Sequence, residues 1–421
     1  MVRTWIENFR IWAKAQVQTI VDNRLTRRMM RYFDWPLFII VMLISLFGIV
    51  CVFSATSSEV VETPRSIMEM LETQSTYYPA RQLRNLLVGL VMMVIFTYVP
   101  YKLFGSWSNG IYLLNLAVLM LTKLLAEVGR GGMQAYLRVG SESAFQPSEF
   151  GKVAMIICFA KVFSDRKKPI SKLRDLMQMG IYMGIPTFLI LIQPDFGTAM
   201  VYAFVFILMI YISGTKRSLL YRILFAAVLL AIPVWYYMRN TSSGDNFRLM
   251  RIMMWLHPEN YPDDARQIIN GQIAIGSGGL FGKGIVSPGS FASLGYISDD
   301  HTDFIFAIVC ESFGLIGGLA LVAAYILIVA RLVRLALSVE DPYGAYVIFG
   351  VMAMLLAHII ENIGMVIGLL PVTGIPLPFV SYGGSNLITN FAAIGLVQNV
   401  MIRTRYRNRL RRIHTSRAIR L

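Results

Sequence analysis

Ten apolar stretches, each close to the length of a membrane-spanning helix, follow one another along this chain of 421 residues. They cover residues 35–54, 83–100, 109–126, 149–163, 176–193, 197–213, 218–238, 304–330, 344–369 and 379–402. An α-helix needs about 20 predominantly apolar residues to cross the hydrocarbon core of a bilayer. The pattern therefore predicts an all-α polytopic membrane protein with about ten transmembrane helices. The fourth stretch is short, and we expect its helix to extend into the neighbouring residues.

Composition and charge agree with a membrane protein. The chain is 56% hydrophobic and only 15% charged, a balance that is rare in soluble domains. The formal net charge is +15, but the basic residues are grouped between apolar stretches and at the chain ends, which is typical of cytoplasmic loops. The groups are Arg166, Lys167, Lys168 and Lys172; Lys216 and Arg217; Arg331 and Arg334; and residues 403–412. We therefore expect both termini to be cytoplasmic. We also expect the protein to interact with the cell membrane and not with nucleic acid.

The pattern divides the chain into three parts. Residues 1–34 are basic and carry aromatic and aliphatic side chains at helical spacing, which predicts an interfacial helix or, alternatively, a flexible cytoplasmic tail. Residues 35–402 form the membrane domain, and residues 403–421 form a basic cytoplasmic tail. No short apolar core with a cleavage site precedes the first long stretch, so we expect no signal peptide.

The longest polar segment, residues 239–303, lies between the seventh and eighth stretches and faces outward on this topology. It has no long apolar run, so we expect a loop that folds back over the bundle with short helices, one of them around residues 264–275. Long ordered loops on a rigid scaffold often carry function. This loop ends in His301, Thr302 and Asp303, directly before the eighth stretch.

Two interpretations of Asp303 are open from these residues alone. A carboxylate at the boundary between water and hydrocarbon could act as a base on a lipid-borne substrate. Alternatively, Asp and Thr before an apolar run are ordinary helix N-caps.

The glycine-rich residues 276–284 have some features of a phosphate-binding loop. They are not a Walker A motif, because Ser277 replaces the first glycine and Gly284 follows Lys283 where Ser or Thr would bind Mg²⁺. A flexible loop with one lysine is the simpler interpretation. The alternative is that exposed backbone N–H groups and Lys283 together hold a pyrophosphate.

Ionisable residues also occur inside the apolar stretches, where they are energetically costly and often mark function. Glu149 and Lys152 are three residues apart, share a helix face and are expected to pair. A structural ion pair and a role in binding are both open. His358 and Glu361 are also three apart, and we expect an interhelical hydrogen bond there, with a proton relay as the alternative.

Three further segments are interpreted from their turn residues. Asp195 follows Pro194 between the fifth and sixth stretches, which predicts a tight turn and a helix cap, with substrate contact as the alternative. Gly364 and Gly368 form a GxxxG pattern that predicts a helix-packing face. Residues 371–386 break the helical pattern with proline and glycine. Irregular backbone at membrane depth is tolerated where it lines a cavity, so we expect the re-entrant wall of a groove.

Taken together and in order, these segments resemble the SEDS family (shape, elongation, division and sporulation), which includes RodA, FtsW and SpoVE. The matching pieces are residues 81–82, 145–152, 193–199, 274–284, 301–306, 362–366 and 370–385. The resemblance implies a ten-helix enzyme of the bacterial cytoplasmic membrane that polymerises lipid II into glycan strands at the outer face. It also implies a class B penicillin-binding protein as partner, which would supply the transpeptidase.

The resemblance assigns roles to particular residues. The family's essential acid falls on Asp303, the candidate catalytic base, and its paired Glu and Lys fall on Glu149 and Lys152. The substrate-binding candidates are Arg81, Glu149, Lys152, Asp195, Arg248, Lys283, His301, Thr302, Ser381 and Asn386. We expect no organic cofactor. The departing pyrophosphate needs positive charge from the basic candidates or from a divalent cation, Mg²⁺ or Mn²⁺, for which the sequence predicts no ligand set.

The chain departs from the family pattern at a few positions. Ser298 and Asp299 stand where a Pro-Glu pair is usual, and Glu361 stands where an apolar residue is usual. An Arg-Trp pair is replaced by Ala135 and Tyr136. These differences weaken the transfer of secondary contacts and indicate a divergent member of the family.

Two other classes of function are compatible with the sequence. A lipid II flippase would use the intramembrane charges to line a pathway for the headgroup. A scaffold that only recruits the partner would leave the acids and glycines of residues 264–303 without a role. The sequence does not separate roles in elongation, division and sporulation.

Overall fold

The computed structural model describes residues 29–56, 76–127, 134–139, 143–166, 169–222, 225, 229, 247–261, 265–297 and 300–418. Its helices are α1 (Met29–Tyr32), α2 (Trp35–Ala55), α3 (Tyr77–Tyr98), α4 (Tyr101–Ser106), α5 (Ser108–Leu125), α6 (Pro147–Ser164), α7 (Leu173–Ile192), α8 (Phe196–Ile212), α9 (Phe247–Leu256), α10 (Arg266–Ser277), α11 (Ile305–Leu337), α12 (Pro342–Val366) and α13 (Gly384–Ala418). Two short strands, β1 (Leu137–Val139) and β2 (Ser143–Phe145), precede α6, and a 3₁₀ turn, Pro258–Asn260, follows α9.

The helices confirm a multi-pass membrane architecture. Seven of them, α2, α3, α5, α7, α11, α12 and α13, are long and apolar enough to cross a membrane. The apolar helix α8 has 17 residues, and α6 is apolar apart from three charged residues. Within the seventh stretch, 218–238, only residues 218–222, 225 and 229 are described, and they are helical. The interfacial helix expected in residues 1–34 falls almost entirely outside the described residues.

The surface of the bundle is suited to lipid. Large apolar side chains on its outside, among them Leu113, Leu124 and Phe188, are more than half exposed. Contiguous apolar exposure on this scale is unfavourable in water but favourable against acyl chains.

One described segment forms a β-hairpin, which the all-α prediction did not foresee. Strands β1 and β2 pair antiparallel, with Leu137 opposite Phe145. Strands of three residues are too short to show the alternation by which a strand is recognised in a sequence. The backbone N–H of Gln146, just after β2, donates to Ser385 Oγ at 3.0 Å, so the hairpin is fixed to the start of α13.

Polar contacts mark the two ends of the bundle. Asp34, fully buried before α2, accepts hydrogen bonds from Arg331 Nε at 3.0 Å and Arg331 Nη2 at 2.7 Å. At the other end of α2, Ser54 Oγ lies 2.8 Å from Ser312 Oγ. The 21 residues of α2 span about 30 Å, the thickness of the hydrocarbon core. We call the end with Asp34 the chain-end face and the end with Ser54 the Asp303 face.

Helix α11 is longer than a membrane is thick and is broken near the Asp303 face. Its 33 residues correspond to about 50 Å. The break is at Gly314, whose φ of 68° and ψ of −170° are not helical. The glycine-rich residues 276–284 run beside it: Lys283 N donates to the carbonyl of Glu311 at 2.9 Å, and Leu315 N donates to that of Gly279 at 2.9 Å. The break therefore separates residues 305–313 from the rest of the helix.

Helix α13 lies at the centre of the bundle, and all of residues 389–402 are buried. Its Phe391 and Gly395 pack against Gly89 and the backbone of Met93 in α3. The tenth predicted stretch, 379–402, was wrong at both ends. Its first residues are irregular, and the helix continues to Ala418. Arginine is compatible with helix, and Arg403 and Arg405 donate to backbone carbonyls of neighbouring segments.

The structure also decides two of the smaller expectations. The short helix expected around residues 264–275 is confirmed by α10. The GxxxG packing face is wrong, because α12 ends at Val366 and Gly368 has a φ of 83°. A glycine in this left-handed conformation just after a helix terminates it. The carbonyl of Gly368 accepts a hydrogen bond from Trp255 Nε1 at 2.9 Å, so this glycine anchors α9.

Candidate active site

Asp303 lies in the turn of residues 301–304 that precedes α11. The N-cap position of that helix is taken by Phe304, whose side chain has no hydrogen-bond acceptor, so Asp303 does not stand at the capping position. It lies beside the last turn of α12, because Asn362, four residues before the end of that helix at Val366, bonds its main-chain carbonyl. The residue is partly exposed. Asp303 is therefore not the N-cap residue of α11, and its role as a base stays a prediction.

A single buried amide holds the turn that carries Asp303. Asn362 Nδ2 donates to the main-chain carbonyl of Asp303 at 2.8 Å and to that of Ile375 at 2.7 Å. Gly374, with a φ of 74°, lets the backbone approach the acid closely, because a Cβ at this position would lie 3.3 Å from Asp303 Oδ2. Asn362 was in the segments that carried the family resemblance, but nothing in the sequence singled out its amide.

His301 is fixed by its neighbours on the same turn. Its ring packs against those of Tyr78 and Tyr382, with centroid distances of 4.6 Å and 5.6 Å. Its carbonyl accepts a hydrogen bond from Tyr382 N at 2.8 Å, and its own N–H donates to Asp300 Oδ1 at 2.7 Å. The candidates His301 and Thr302 therefore lie beside Asp303 on one well-anchored turn.

The irregular backbone expected between α12 and α13 is present as an outer strap, residues 371–383. Phe379 adopts a positive φ of 67°, a strained conformation that persists only where the surroundings enforce it. Ser381 supplies part of that enforcement: its Oγ accepts from Leu377 N at 2.7 Å, and its carbonyl accepts from Gln82 Nε2 at 2.9 Å. Ser381 is buried, and in this structure its hydrogen bonds stabilise the strap.

The basic residue that the structure brings to Asp303 is Arg251, which the sequence reasoning missed. Arg251 Nη1 donates to the carbonyl of Val372 in the strap at 3.3 Å. Burial lowers the pKa of the Arg251 guanidinium, and the carboxylates of Asp303 and Asp195 act in the opposite direction. The sequence candidate Arg248 is in the same helix, but its side chain is outside the described part. The two arginines are three residues apart on α9, a spacing that could have pointed to both.

Inside the bundle lies a polar chamber formed by Glu149, Lys152, His358 and Asn386, all at most 6% exposed. Lys152 Nζ is 2.7 Å from Glu149 Oε1 and 2.7 Å from His358 Nε2. His358 Nδ1 is 2.7 Å from the carbonyl of Met354, which assigns the ring proton to Nδ1 and leaves Nε2 as the acceptor. Asn386 Nδ2 donates to Glu149 Oε2 at 2.9 Å. The predicted Glu149–Lys152 pair and the predicted interhelical bond of His358 are both confirmed.

Two more carboxylates border the polar chamber. Asp195 Oδ1 accepts from Thr198 N at 3.1 Å, which confirms the predicted cap of α8, and Oδ2 accepts from Gln146 Nε2 at 2.9 Å. Burial raises the pKa of the Asp195 carboxyl, while the hydrogen bonds from Thr198 lower it. Glu361 is 5% exposed, and its Oε2 has no hydrogen-bond partner among the described residues. A role of Asp195 in substrate binding stays a prediction.

Lys283 forms an ion pair inside the protein. Its Nζ is 2.8 Å from Oε1 of Glu311, which is 1% exposed, and Phe291 N donates to the same oxygen at 2.8 Å. The backbone N–H groups of Lys283 and Gly284 both bond carbonyls of α11, so these two groups are not exposed as the pyrophosphate alternative required. The guanidinium of Arg81 lies 4.4 Å from the centre of the Tyr77 ring. Contacts of Lys283 and Arg81 with substrate stay predictions.

The part of the chain that the structure describes contains no preformed binding site for a divalent cation. No group of three or more His, Cys, Asp or Glu side chains there is arranged to hold a metal ion. Mg²⁺ is commonly bound by one or two carboxylates together with substrate phosphates, so such an ion would bind together with the substrate.

Comparisons with known proteins agree with this architecture. The profile of the FtsW/RodA/SpoVE family, described as cell cycle protein, matches residues 34–406. The Escherichia coli K12 protein named peptidoglycan glycosyltransferase MrdB is 35% identical over 326 residues, which are 76% of this chain and 84% of that protein. Stage V sporulation protein E of Bacillus subtilis is 33% identical over 383 residues, which are 89% of this chain and 98% of that protein.

Solved structures share the fold. A chain in a structure described as a peptidoglycan synthase complex that coordinates polymerization and crosslinking has a TM-score of 0.69 and 26% identity, and the match covers 88% of this chain and 97% of that one. The crystal structure of the rod shape determining protein RodA of Thermus thermophilus has a TM-score of 0.63 and 25% identity, covering 88% and 97%. The helical membrane fold expected from the sequence is confirmed by these likenesses.

Proposed function

We propose that this chain, which belongs to the FtsW/RodA/SpoVE family and is a peptidoglycan glycosyltransferase, polymerises lipid II into glycan strands at the outer face of the cytoplasmic membrane. Asp303 is the general base of the proposal. The observation that carries it is the position of this acid, on the turn that enters α11 at the Asp303 face, beside the last turn of α12 and Gly374 of the outer strap. There it is partly exposed, and a buried amide anchors its backbone.

The proposed step is a displacement at a sugar carbon. A hydroxyl oxygen of one lipid-linked disaccharide attacks the anomeric carbon of another, and the bond from that carbon to the lipid diphosphate breaks with inversion. The hydroxyl proton passes to the carboxylate of Asp303, and the electron pair of the broken bond leaves with the diphosphate. A positioned base accelerates such a step by about 10²–10⁴-fold.

Arg251 is the group best placed to receive the departing diphosphate. It lies on α9, bonds the outer strap at Val372 and is within electrostatic range of Asp303. A guanidinium offers several N–H donors in a fork that matches phosphate oxygens. In the proposal this charge stabilises the leaving group as it develops. A divalent cation brought in by the substrate would supply further positive charge.

The distribution of buried charge supports polymerisation over transport of lipid II. The chamber residues lie in the first two turns of α6, the last three turns of α12 and the first turn of α13, within about 12 Å of the Asp303 face. Residues 153–160 and 345–357 of these helices contain no Asp, Glu, Lys, Arg or His. A headgroup pathway across the membrane would need polar groups along its whole depth.

A class B penicillin-binding protein is the proposed partner. The structure of a peptidoglycan synthase complex that shares this fold is described as coordinating polymerization with crosslinking. A glycan polymerase without a transpeptidase domain needs such a protein to crosslink its product. The partner's identity determines whether the chain acts in elongation, division or sporulation.

The test combines the purified chain, a class B penicillin-binding protein and fluorescent lipid II, with polymer separated on a gel. We expect Asp303→Asn and Asp303→Ala to lose polymer formation by at least about 10²-fold while keeping the wild-type unfolding temperature and binding of the partner. Asp165→Asn, which removes an exposed acid on the chain-end face, is the matched control and should polymerise normally. Polymer at the wild-type rate from either Asp303 variant would refute the role.

A further inference from the structure

A second cluster of polar groups lies on the chain-end face, remote from Asp303. There one stripe of α13 packs against the connection between α11 and α12. Val400 meets Gly344, where an added Cβ would lie 2.8 Å from Val400 Cγ1, and Arg411 pairs with Glu340. Residues at positions 400, 404, 407 and 411 share one face of a helix. Thr404 and Arg407 therefore lie between these two contacts and face the start of α12.

The side chains in the middle of this stripe carry hydrogen-bond donors that the protein does not use. Arg407 Nε and Nη2 are buried and have no partner among the described residues. Thr404 is 2% exposed, and its Oγ1 also has no partner in the described part of the chain. Buried donors without partners cost about 1–3 kcal/mol each, and more when the group is charged. A ligand that accepts hydrogen bonds would satisfy these unused donors of Arg407 and Thr404.

The N-terminus of α12 starts opposite this stripe and adds further hydrogen-bond donors. The N-cap residue of α12 is Asp341, whose side chain makes no cap hydrogen bond; its Oδ2 instead accepts from the hydroxyl of Tyr101 at 2.5 Å. Pro342 in the first turn has no N–H to donate. The first N–H groups of α12, at Tyr343 and Gly344, are therefore left without a side-chain cap, and a helix N-terminus favours an anion.

Charges around the cluster leave a positive surplus. The pKa of the Tyr101 hydroxyl is raised, chiefly by burial and then by Asp341, whereas Arg407 and Arg403 act in the opposite direction. Both arginines therefore lie within electrostatic range of the Tyr101 hydroxyl, which bonds Asp341. Arg411 and Glu340 neutralise each other. Two guanidinium groups thus face one carboxylate.

We infer that Thr404, Arg407 and the N-terminus of α12 form a binding site for a phosphate group, which we call the Arg407 site. A phosphate oxygen accepts several hydrogen bonds and matches the donor-only character of these groups. The site lies at the membrane surface: α5 begins nearby with Trp107 before it, half exposed, and tryptophan is enriched at that level. The phosphate comes either from an anionic lipid headgroup or from free phosphate.

The experiment uses the full chain, purified in detergent and stripped of lipid. Native mass spectrometry measures binding of phosphatidylglycerol and, for comparison, phosphatidylcholine. A parallel series measures the unfolding temperature in inorganic phosphate and in chloride at equal ionic strength. We expect Arg407→Gln to weaken binding about tenfold or more and Thr404→Val to weaken it several-fold, since each removes donors to a charged group.

Arg412→Gln is the matched control, because it removes one exposed arginine from the same helix. Phosphatidylglycerol binding that falls in Arg407→Gln and Thr404→Val but not in Arg412→Gln supports a headgroup site. Stabilisation of the wild type by phosphate, lost in Arg407→Gln without any lipid preference, supports free phosphate as the ligand. Equal losses in Arg407→Gln and Arg412→Gln, or no binding by the wild type, would overturn the site and leave only water there.

Misfolding is distinguished from loss of the site by the unfolding temperature without ligand. Arg407 Nε and Nη2 have no hydrogen-bond partner among the described residues, so Arg407→Gln should unfold at the wild-type temperature or above it. A clear fall in that temperature would assign Arg407 a structural role and would also overturn the inference.

Discussion

The side-chain amide of Asn362 donates hydrogen bonds to the main-chain carbonyls of Asp303, at 2.8 Å, and Ile375, at 2.7 Å. Through this one buried group α12 sets the separation between the turn that carries the acid and the outer strap. Neither carbonyl has to rely on water, and the carboxylate of Asp303 is held close to Gly374. The geometry of the proposed base therefore depends on a residue that does not itself react.

Asn362→Leu should disturb both stability and activity. It leaves two carbonyls without their donor, which we expect to lower the free energy of unfolding by about 3 kcal/mol. It also frees the turn, and a displacement of about 1 Å at a reacting group costs about 10²-fold in rate. Thermal unfolding and polymer formation per folded molecule measure the two effects separately.

Asn399→Leu is the matched control for that variant. Asn399 is fully buried and donates to the carbonyl of Phe96 at 2.7 Å on the chain-end face. A similar loss of stability with normal polymerisation is expected. Should both variants lose activity in proportion to stability, Asn362 would have no special part in placing Asp303.

Arg251 should matter more for catalysis than for folding. Replacing it by Gln removes the charge beside Asp303, and we expect polymer formation to fall about 10²-fold, the usual effect of losing one stabilising donor in a transition state. Arg251→Lys keeps a charge but not the fork of donors, so partial activity is expected. Equal activity of Arg251→Gln and wild type in the gel assay would exclude this arginine as the diphosphate contact.

The ion pair of the polar chamber should show strong coupling. Lys152→Met leaves the buried carboxylate of Glu149 without its cation, which we expect to cost about 3–5 kcal/mol. Adding Glu149→Gln removes that charge, so the double variant should be more stable than Lys152→Met alone. The free energies of unfolding of the two single variants and the double variant form the cycle that measures the interaction. Additive losses would mean that the two groups do not interact as their 2.7 Å separation implies.

Gly314→Ala should destabilise the region where α11 is broken. The φ of 68° suits glycine, and an added Cβ would collide with the backbone of Leu280 and Gly282. We expect a loss of more than about 2 kcal/mol and increased hydrogen exchange in residues 276–284. Gly276→Ala is the control: nothing lies within 4 Å of its Cβ position, and alanine favours a helix. A neutral result for Gly314→Ala would show that the break is not needed.

The local pattern of the sequence was sufficient for the membrane fold and for the position of Asp303. Each spanning helix must carry its own apolar residues because lipid surrounds it, so the ten stretches could be found without knowing their neighbours. The acid was conspicuous because a carboxylate directly before an apolar run is costly or useful. The Glu149–Lys152 pair was predictable for the same reason, since both residues lie on one helical face.

Only the tertiary structure decided what surrounds these groups. Asn362 meets Asp303 across 59 positions of sequence, and Gln82 meets Ser381 across 299, so no local periodicity reports either contact. The N–H groups of residues 283 and 284 looked available for phosphate until α11, broken at Gly314, proved to bond them. Hydropathy records whether a residue prefers lipid or water, whereas hydrogen bonds between distant segments depend on how the helices pack. The sequence alone therefore indicated the acid, and the packed bundle decided which side chains hold it in place.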